Sequence, residues 1–250
     1  MIVGYDAIGP DNNRKDTSRP GEEGTTSPSR IEQLVEALIF LFLIVPSMVL
    51  SFFAVRQGSL SFVLIAFSTI SRDLALVFLI LFFAWRNGEP ISKLGLTFRN
   101  GWGDIVLGVA LFIPFTFITG LLESVLRAAG LSTPSTPLPS FLAVRGLAQI
   151  LLAFILVIIV ALAEETIFRG YLILRFTAVT KSLAAAVLLS AVIFSLGHGY
   201  EGSAGVVIVG FMGLVFALIY LWRKSLVAPI TMHFLQDFIA ILLLPLLGMR

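Results

Sequence analysis

The sequence predicts an all-α integral membrane protein: a bundle of about seven transmembrane helices, or eight at most, with a polar intramembrane cavity. The chain is 58% hydrophobic and only 13% charged, with a mean hydropathy of +1.00, whereas soluble proteins carry about 25% charged residues. Its apolar residues form long runs separated by short polar segments. Charged residues nevertheless follow one of these runs directly, and charges at membrane depth usually mark a functional site.

Composition also excludes several classes of protein. The chain contains no cysteine, which excludes disulfides, a thiol nucleophile and thiolate metal ligands. Its net charge is only +2 and no basic block occurs, so we expect no nucleic-acid partner. No charged segment followed by an apolar stretch opens the sequence, and we therefore expect no cleavable signal peptide.

The chain divides into a polar tail and a membrane domain. Residues 1–30 are rich in Gly, Pro, Ser, Thr and mixed charges, a composition that cannot bury enough apolar surface to fold alone. We predict a disordered cytoplasmic tail there. Residues 31–250 are predicted to form a single transmembrane helical domain, with its functional core in residues 146–247.

Hydropathy predicts the spans. They cover about residues 37–55, 60–85, 105–122, a fourth helix from near Gly146 through the double glutamate, 182–198, 205–222 and 226–247. The second region is interrupted by Arg72 and Asp73, so it is either one long tilted helix or an interfacial segment followed by a span. These two residues are expected to pair locally or to face protein, without a catalytic role. Residues 123–145 are predicted to be a proline-rich loop.

Loop charges predict the orientation. With the N-terminus inside, the inner segments hold eleven Lys and Arg residues and the outer segments only four, which favours a cytoplasmic N-terminus and seven spans. The short spans and the lack of sorting signals point to a bacterial plasma (inner) membrane. We therefore predict a multi-pass inner-membrane protein.

The fourth span carries the densest charge. Glu164, Glu165 and Arg169 follow an uncharged run, and each charge at bilayer depth costs about 2.5–3.5 kcal/mol on insertion scales. Glu165 and Arg169 are four residues apart, so they can pair along one helix face. Glu164 is rotated about 100° away and is left available for chemistry. The alternative is a helix end whose charges reach the lipid headgroups.

Both histidines lie in apolar surroundings. His198 lies as far beyond Lys181 as Glu164 lies before it, so an antiparallel hairpin would place the two side chains level, about 25 Å from the turn. His233 lies only about 14 Å from its own turn, and Asp237 follows it by one helical turn. His233 reaches the depth of Glu164 and His198 only if the turn at Lys181 projects roughly 10 Å further into the cytosol than the turn before His233. The predicted site in an inward-opening cavity consists of Glu164, Glu165, His198, His233 and Asp237.

Three motifs in this order resemble a known family. The sequence has Glu-Glu-x-x-x-Arg at 164–169, Phe-x-x-x-His from Phe194 to His198, and His-x-x-x-Asp from His233 to Asp237. The chain thus resembles the CPBP family, which includes type II CAAX-prenyl endopeptidases and bacteriocin-processing or self-immunity proteins. The resemblance covers about residues 146–247, and the segment Leu94-Gly95-Leu96 also looks like a family feature.

The resemblance implies an intramembrane endopeptidase. Glu164 and His198 would activate a water molecule against the scissile carbonyl, since burial makes a carboxylate a stronger base. Glu165 and Arg169 would be the orienting pair, with Phe194 as a supporting residue of the second motif. His233 and the residue at position 237 would stabilise the oxyanion.

Asp237 stands where the eukaryotic prenyl proteases generally carry Asn. An ionised Asp cannot donate a hydrogen bond, so Asp237 could instead orient His233. It could also ligate a zinc ion together with His198, His233 and Glu164. The residues fit a metal-free and a zinc mechanism alike, and no cofactor is otherwise expected.

Other functions use the same residues. The alternative to the protease is a non-catalytic membrane self-immunity or scaffold protein of the same family. A proton-coupled transporter would also carry intramembrane Glu and His, but the sequence shows no inverted repeat. The expected partners of a protease are the lipid bilayer and a peptide or protein substrate, including membrane-associated or lipidated ones.

Overall fold

The computed structural model describes residues 28–57, 61–132, 144 and 146–248. The tail predicted for residues 1–30 and the proline-rich part of the loop before Gly146 lie mostly outside these residues. The described part is helical and contains no strand. Its main helices are α1 (Arg30–Gln57), α2 (Phe62–Arg86), α3 (Gly101–Ala128), α4 (Gly146–Thr180), α5 (Leu183–Leu196), α6 (Gly202–Arg223) and α7 (Val227–Leu246).

The predicted fold class, an all-α membrane bundle of about seven helices, is confirmed. Within the described residues, six helices are long and apolar enough to cross a membrane. The seventh, α5, has 14 residues. At 1.5 Å per residue it spans about 21 Å, less than the ~30 Å hydrocarbon core. It was predicted to run to His198, but it ends at Leu196 and leaves that histidine in the turn that follows.

One open alternative is settled and one boundary differs from the prediction. α2 is one continuous helix, so of the two possibilities left open for residues 60–85 the single helix is the one observed. α3 extends to Ala128, beyond the predicted end near residue 122, so the predicted loop begins with helix. Glu123 and Arg127 pair at 2.6 Å across one turn there, an i,i+4 interaction that favours helix.

A buried ion network joins α1, α2 and α4 at one end of the bundle. Glu36, which is 1% exposed, pairs with Arg86 at the end of α2 and lies 3.0 Å from Arg175 of α4. Arg175 also pairs with Glu89 at 2.6 Å. Arg30 donates to a main-chain carbonyl in the last turn of α4. The start of α1, the end of α2 and the end of α4 therefore share one end of the bundle, as the loop charges predict.

Small residues let α5 and α6 approach closely, as expected for membrane helices. A Cβ added at Gly213 would lie 3.2 Å from the Cα of Ala191, and one at Gly210 would lie 3.5 Å from Ser195. Ala217, one turn further along α6, is buried. This contact holds α5 against α6 and so fixes the position of the turn that carries His198.

Candidate active site

The paired glutamates lie at a change of helix geometry within α4. Regular α-helix ends at Glu165, and Thr166–Leu172 is π-helical, a feature often found at functional sites. Glu165 is fully buried and Arg169 is 1% exposed. Arg169 donates through Nη1 to Glu165 Oε1 at 2.8 Å, so the two residues pair as expected. Glu164 remains partly exposed and takes no part in this bond.

The π-helical segment packs against the short segment that precedes α3. A Cβ at Gly170 would lie 2.5 Å from the carbonyl oxygen of Leu94, so only glycine fits at this contact. Gly95, in the left-handed conformation, accepts a hydrogen bond from the Leu226 amide at 3.0 Å. The Leu94-Gly95-Leu96 segment singled out in the sequence therefore lies between α4 and the start of α7.

This contact explains how the histidine of α7 reaches the depth of the glutamates. Leu226, next to the turn between α6 and α7, lies level with Gly170. His233 is seven residues from Leu226 and Glu165 is five residues from Gly170, distances of about 10 Å and 8 Å along their helices. α4 continues to Thr180, about 15 Å beyond Gly170. The turn at Lys181 therefore projects further from the site than the turn between α6 and α7. This is the condition under which His233 lies at the same depth as Glu164 and His198.

His233 joins the two glutamates to α7. Its Nδ1 lies 2.9 Å from Glu165 Oε1, and because a carboxylate oxygen can only accept, Nδ1 carries the hydrogen. Its Nε2 lies 3.7 Å from Glu164 Oε2 and 3.6 Å from Asp237 Oδ2. Both distances are too long for a direct hydrogen bond. The residue that orients His233 is therefore Glu165, whereas Asp237 lies on the opposite side of the ring.

His198 is fixed by the helix end that precedes it. Its Nδ1 lies 3.0 Å from the carbonyl oxygen of Phe194, so Nδ1 is the donor, and Nε2 of the neutral ring is left as an acceptor. The Phe194 ring packs 4.9 Å from the His198 ring, centroid to centroid. The centroid of the Phe194 ring also lies 4.4 Å from the guanidinium carbon of Arg169, a cation–π contact. Phe194 thus connects the arginine of the first motif to the histidine of the second.

The candidate residues surround one cavity of about 200 Å³. Its polar lining comprises Thr69, Arg72, Asp73, Glu164, His198, Tyr200 and Asp237. His233 is 3% exposed and lies behind this lining. The oxygen Oε2 of Glu164 is buried and has no hydrogen-bond partner among the described residues. The structure therefore brings all five predicted site residues together: Glu164, His198 and Asp237 at the cavity, with Glu165 and His233 in a hydrogen bond behind it.

The cavity extends in one direction along the bundle. From Glu164 its lining follows α4 back to Leu156 and α2 back to Ile65. It therefore reaches toward the end at which α2 and α4 begin, opposite the ion network. Loop charges predict that this end is outside. A cytoplasmic N-terminus therefore places the open end of the cavity outside, whereas the cavity is predicted to open inward. The two predictions conflict.

Cysteine labelling decides between these two predictions, because the parent chain has no cysteine. From the loop charges we expect Ser135→Cys to react with an impermeant reagent only from outside and Lys181→Cys only from inside. The unsubstituted protein and permeabilised membranes provide the background and the full signal. The reverse pattern would contradict the orientation and would place the open end of the cavity on the cytoplasmic side.

Arg72 and Asp73, for which no catalytic role is predicted, line the cavity together with Glu164. They pair with each other at 2.7 Å, as expected for adjacent opposite charges. Their position was missed because no local pattern indicates which face of α2 meets α4. The available signal was their charge within an apolar span, which is itself a marker of function.

A zinc site was an open alternative. Within the described residues, no three His, Asp or Glu side chains lie close enough together to hold a metal ion. Nδ1 of His233 is already bonded to Glu165, and that of His198 to a carbonyl. A zinc ligand set of His198, His233, Asp237 and Glu164 would need its side chains to move inward, since zinc–ligand distances are about 2.0–2.2 Å.

The helical bundle thus carries a glutamate, a histidine and an aspartate at one cavity, with a second glutamate and a second histidine buried behind them. The sequence profile of the type II CAAX prenyl endopeptidase Rce1-like family matches residues 146–239, which is less than half of the chain. Residues 146–239 are thus similar to this protease family, and the resemblance predicted from the motifs is confirmed. The matched segment contains every predicted site residue. No curated protein and no solved structure matches the chain.

Proposed function

We propose that this protein is an intramembrane endopeptidase that hydrolyses a peptide bond with a water molecule activated by Glu164 and His198. The observation that supports it most strongly is the convergence of Glu164, His198 and Asp237 on one cavity, with His233 behind them. These residues come from α4, from α7 and from the turn that follows α5, all within the segment that matches a protease family. A peptide or protein substrate follows from that family, and the membrane from the six apolar helices.

In the proposed reaction, Glu164 Oε2 takes one proton from the water. The second O–H of the water donates a hydrogen bond to His198 Nε2. The water oxygen then attacks the scissile carbonyl carbon. His233 carries hydrogens on both nitrogens: Nδ1 donates to Glu165, and Nε2 donates to the oxyanion. Asp237 balances the charge of this imidazolium. Collapse of the intermediate breaks the C–N bond, and Glu164 returns its proton to the leaving amine.

The proposal is tested with protein purified in detergent and a pool of mixed-sequence peptides, whose products are identified by mass spectrometry. The expected result is new termini from internal cleavage. The same preparation must be monodisperse, so that a negative result is not due to unfolding. A folded protein that cleaves none of the peptides, in detergent and in lipid vesicles alike, would favour the non-catalytic self-immunity or scaffold alternative.

The proposed mechanism uses no metal. We expect cleavage to continue at its full rate after stringent chelation, because Glu164 and His198 already provide a proton acceptor and a hydrogen-bond acceptor for the water. Activity and zinc content are measured on the same sample before and after treatment. Stoichiometric zinc whose removal stops cleavage, and whose return restores it, would contradict the metal-free mechanism. That result would assign His198, His233 and Asp237 or Glu164 as ligands.

A further inference from the structure

Tyr200 gives the cavity a hydroxyl group that the proposed hydrolysis does not use. It follows His198 by two residues, and its ring lies 6.0 Å from the His198 ring, centroid to centroid. Both side chains line the cavity together with Glu164. In the proposed reaction, His198 holds the attacking water and Glu164 returns a proton to the leaving nitrogen. Tyr200 therefore lies beside the groups that act on the scissile bond.

The turn that carries Tyr200 is tied to the segment that follows α3. The Ser132 amide donates to Ser203 Oγ at 2.9 Å, and the Ser203 amide donates to Ser132 Oγ at 3.1 Å. The Ala204 amide donates to the carbonyl oxygen of Ser132 at 2.9 Å. These three hydrogen bonds hold the first residues of α6, directly after Tyr200 and Glu201. They therefore keep the Tyr200 side chain at the cavity wall, next to His198.

The neighbouring Glu201 determines where the hydrogen of the Tyr200 hydroxyl points. A Cβ added at Gly205 would lie 3.2 Å from Glu201 Oε2, so the carboxyl group folds back over the first turn of α6, where glycine leaves room. The Tyr200 hydroxyl donates a hydrogen bond to this carboxylate. A tyrosine hydroxyl has only one hydrogen, so its oxygen is left to accept a hydrogen bond. Donation to a carboxylate also makes this oxygen a stronger acceptor, because linked hydrogen bonds polarise one another.

We infer that Tyr200 is a further catalytic residue, whose hydroxyl oxygen accepts the N–H hydrogen of the scissile peptide bond, and that Glu201 positions this hydroxyl. As Glu164 transfers its proton to the nitrogen, the nitrogen becomes positively charged, and then the C–N bond breaks. The hydrogen bond from N–H to Tyr200 therefore strengthens toward the transition state, which is the condition for an interaction to accelerate the reaction. Tyr200 keeps its own hydrogen throughout. This inference rests on the proposed peptidase function.

The two aspartates of the cavity are less suited to this role because each already faces a cation. Asp73 lies 2.7 Å from Arg72. Asp237 lies 3.6 Å from His233 Nε2 and balances the charge of that imidazolium in the proposed mechanism. The oxygen of Tyr200 is uncharged and is held by a carboxylate rather than by a cation. It can therefore accept the N–H hydrogen without giving up an ion pair.

The test compares an amide with an ester. The substrates are a peptide from the mixed-sequence pool that the wild-type protein cleaves, and its analogue in which an ester oxygen replaces the N–H of the scissile bond. Tyr200→Phe keeps the ring beside His198 but removes the acceptor. It should slow cleavage of the amide about tenfold, the effect of one hydrogen bond. Cleavage of the ester, which has no N–H to donate, should proceed at the wild-type rate.

Tyr220→Phe is the matched control. Tyr220 packs against Gly95 near the end of α6 and is not among the residues that line the cavity. The same hydroxyl group is removed, but outside the site. Both substrates should therefore be cleaved at the wild-type rates. A drop in the amide-to-ester ratio in this variant as well would contradict the assignment to Tyr200.

Two substitutions of Glu201 test its positioning role in the same assay. Glu201→Gln keeps an oxygen that accepts the Tyr200 hydrogen, so the amide-to-ester ratio should stay near the wild-type value. Glu201→Leu removes this acceptor and lets the hydroxyl turn its hydrogen toward the cavity, so the ratio should fall as it does in Tyr200→Phe. A residue that only supports the fold would lower both rates by the same factor. A wild-type ratio in Glu201→Leu would therefore contradict the positioning role.

The outcomes separate this inference from the proposed function. A wild-type protein that cleaves neither substrate contradicts the function itself, and with it the inference. If the wild-type protein cleaves both substrates but Tyr200→Phe slows both by the same factor, Tyr200 has only a structural role and the inference alone is wrong. An unchanged rate for both substrates in folded Tyr200→Phe would overturn it as well. Glu201→Leu provides a second test that leaves the tyrosine in place.

Discussion

Glu164→Gln is expected to lower the rate of peptide cleavage by about 10²–10⁴-fold, the contribution of a general base, and to leave the protein folded. Gln has the shape of Glu but cannot take a proton from water. Oε2 of Glu164 has no hydrogen-bond partner among the described residues, so the substitution breaks no bond that stabilises the fold. Loss of turnover without loss of stability would identify Glu164 as a group that acts in the reaction.

The measurement combines single-turnover cleavage with thermal unfolding in detergent. Glu123→Gln is the matched control: the same change is made on α3, where Glu123 is 42% exposed and far in sequence from the site. It should match wild type in both measurements. Near-wild-type cleavage by folded Glu164→Gln would contradict the assignment of the base. The proposed mechanism would then need another carboxylate of the cavity, Asp73 or Asp237, in that role.

Local sequence spacing was sufficient for part of this site. Glu165 and Arg169 are four residues apart, and such a pair meets on any helix, even one that becomes π-helical between them. The same reasoning applies to His233 and Asp237, which lie one turn apart with 3.6 Å between them. The level placement of Glu164 and His198 required only an antiparallel hairpin, and both residues line one cavity.

Contacts between distant helices could not be predicted in this way. His233 and Glu165 are 68 residues apart in the sequence and share a hydrogen bond. Their meeting depends on the packing of Gly170 against the Leu94 carbonyl and of Gly95 against Leu226. Hydropathy also did not indicate which face of α2 meets α4, because most of its residues are apolar. Lipid and protein neighbours select the same residue types, so the position of Arg72 and Asp73 at the cavity emerged only from the fold.

Glu165 differs from Glu164 in having a structural role in addition to its contact with the site. Its Oε1 accepts hydrogen bonds from both Arg169 and His233, and Glu165 and Arg169 are almost completely buried. Removing one partner of a buried ion pair leaves an uncompensated charge, which costs about 3–5 kcal/mol. Glu165→Gln should therefore destabilise the folded protein by an amount of this order. Cleavage should fall as well, because His233 loses the carboxylate that orients it.

Thermal unfolding of four proteins measures this cost: wild type, Glu165→Gln, Arg169→Gln and the double variant. Because the double variant buries no unpaired charge, it should be more stable than the sum of the two single changes implies. The pair Glu123 and Arg127 has the same spacing but is exposed. Glu123→Gln should therefore change the free energy of unfolding by no more than about 1 kcal/mol. If Glu165→Gln unfolds at the wild-type temperature, or the two changes are simply additive, the buried pair does not hold α4 in place. The loss of activity in Glu165→Gln would then arise from the orientation of His233 alone.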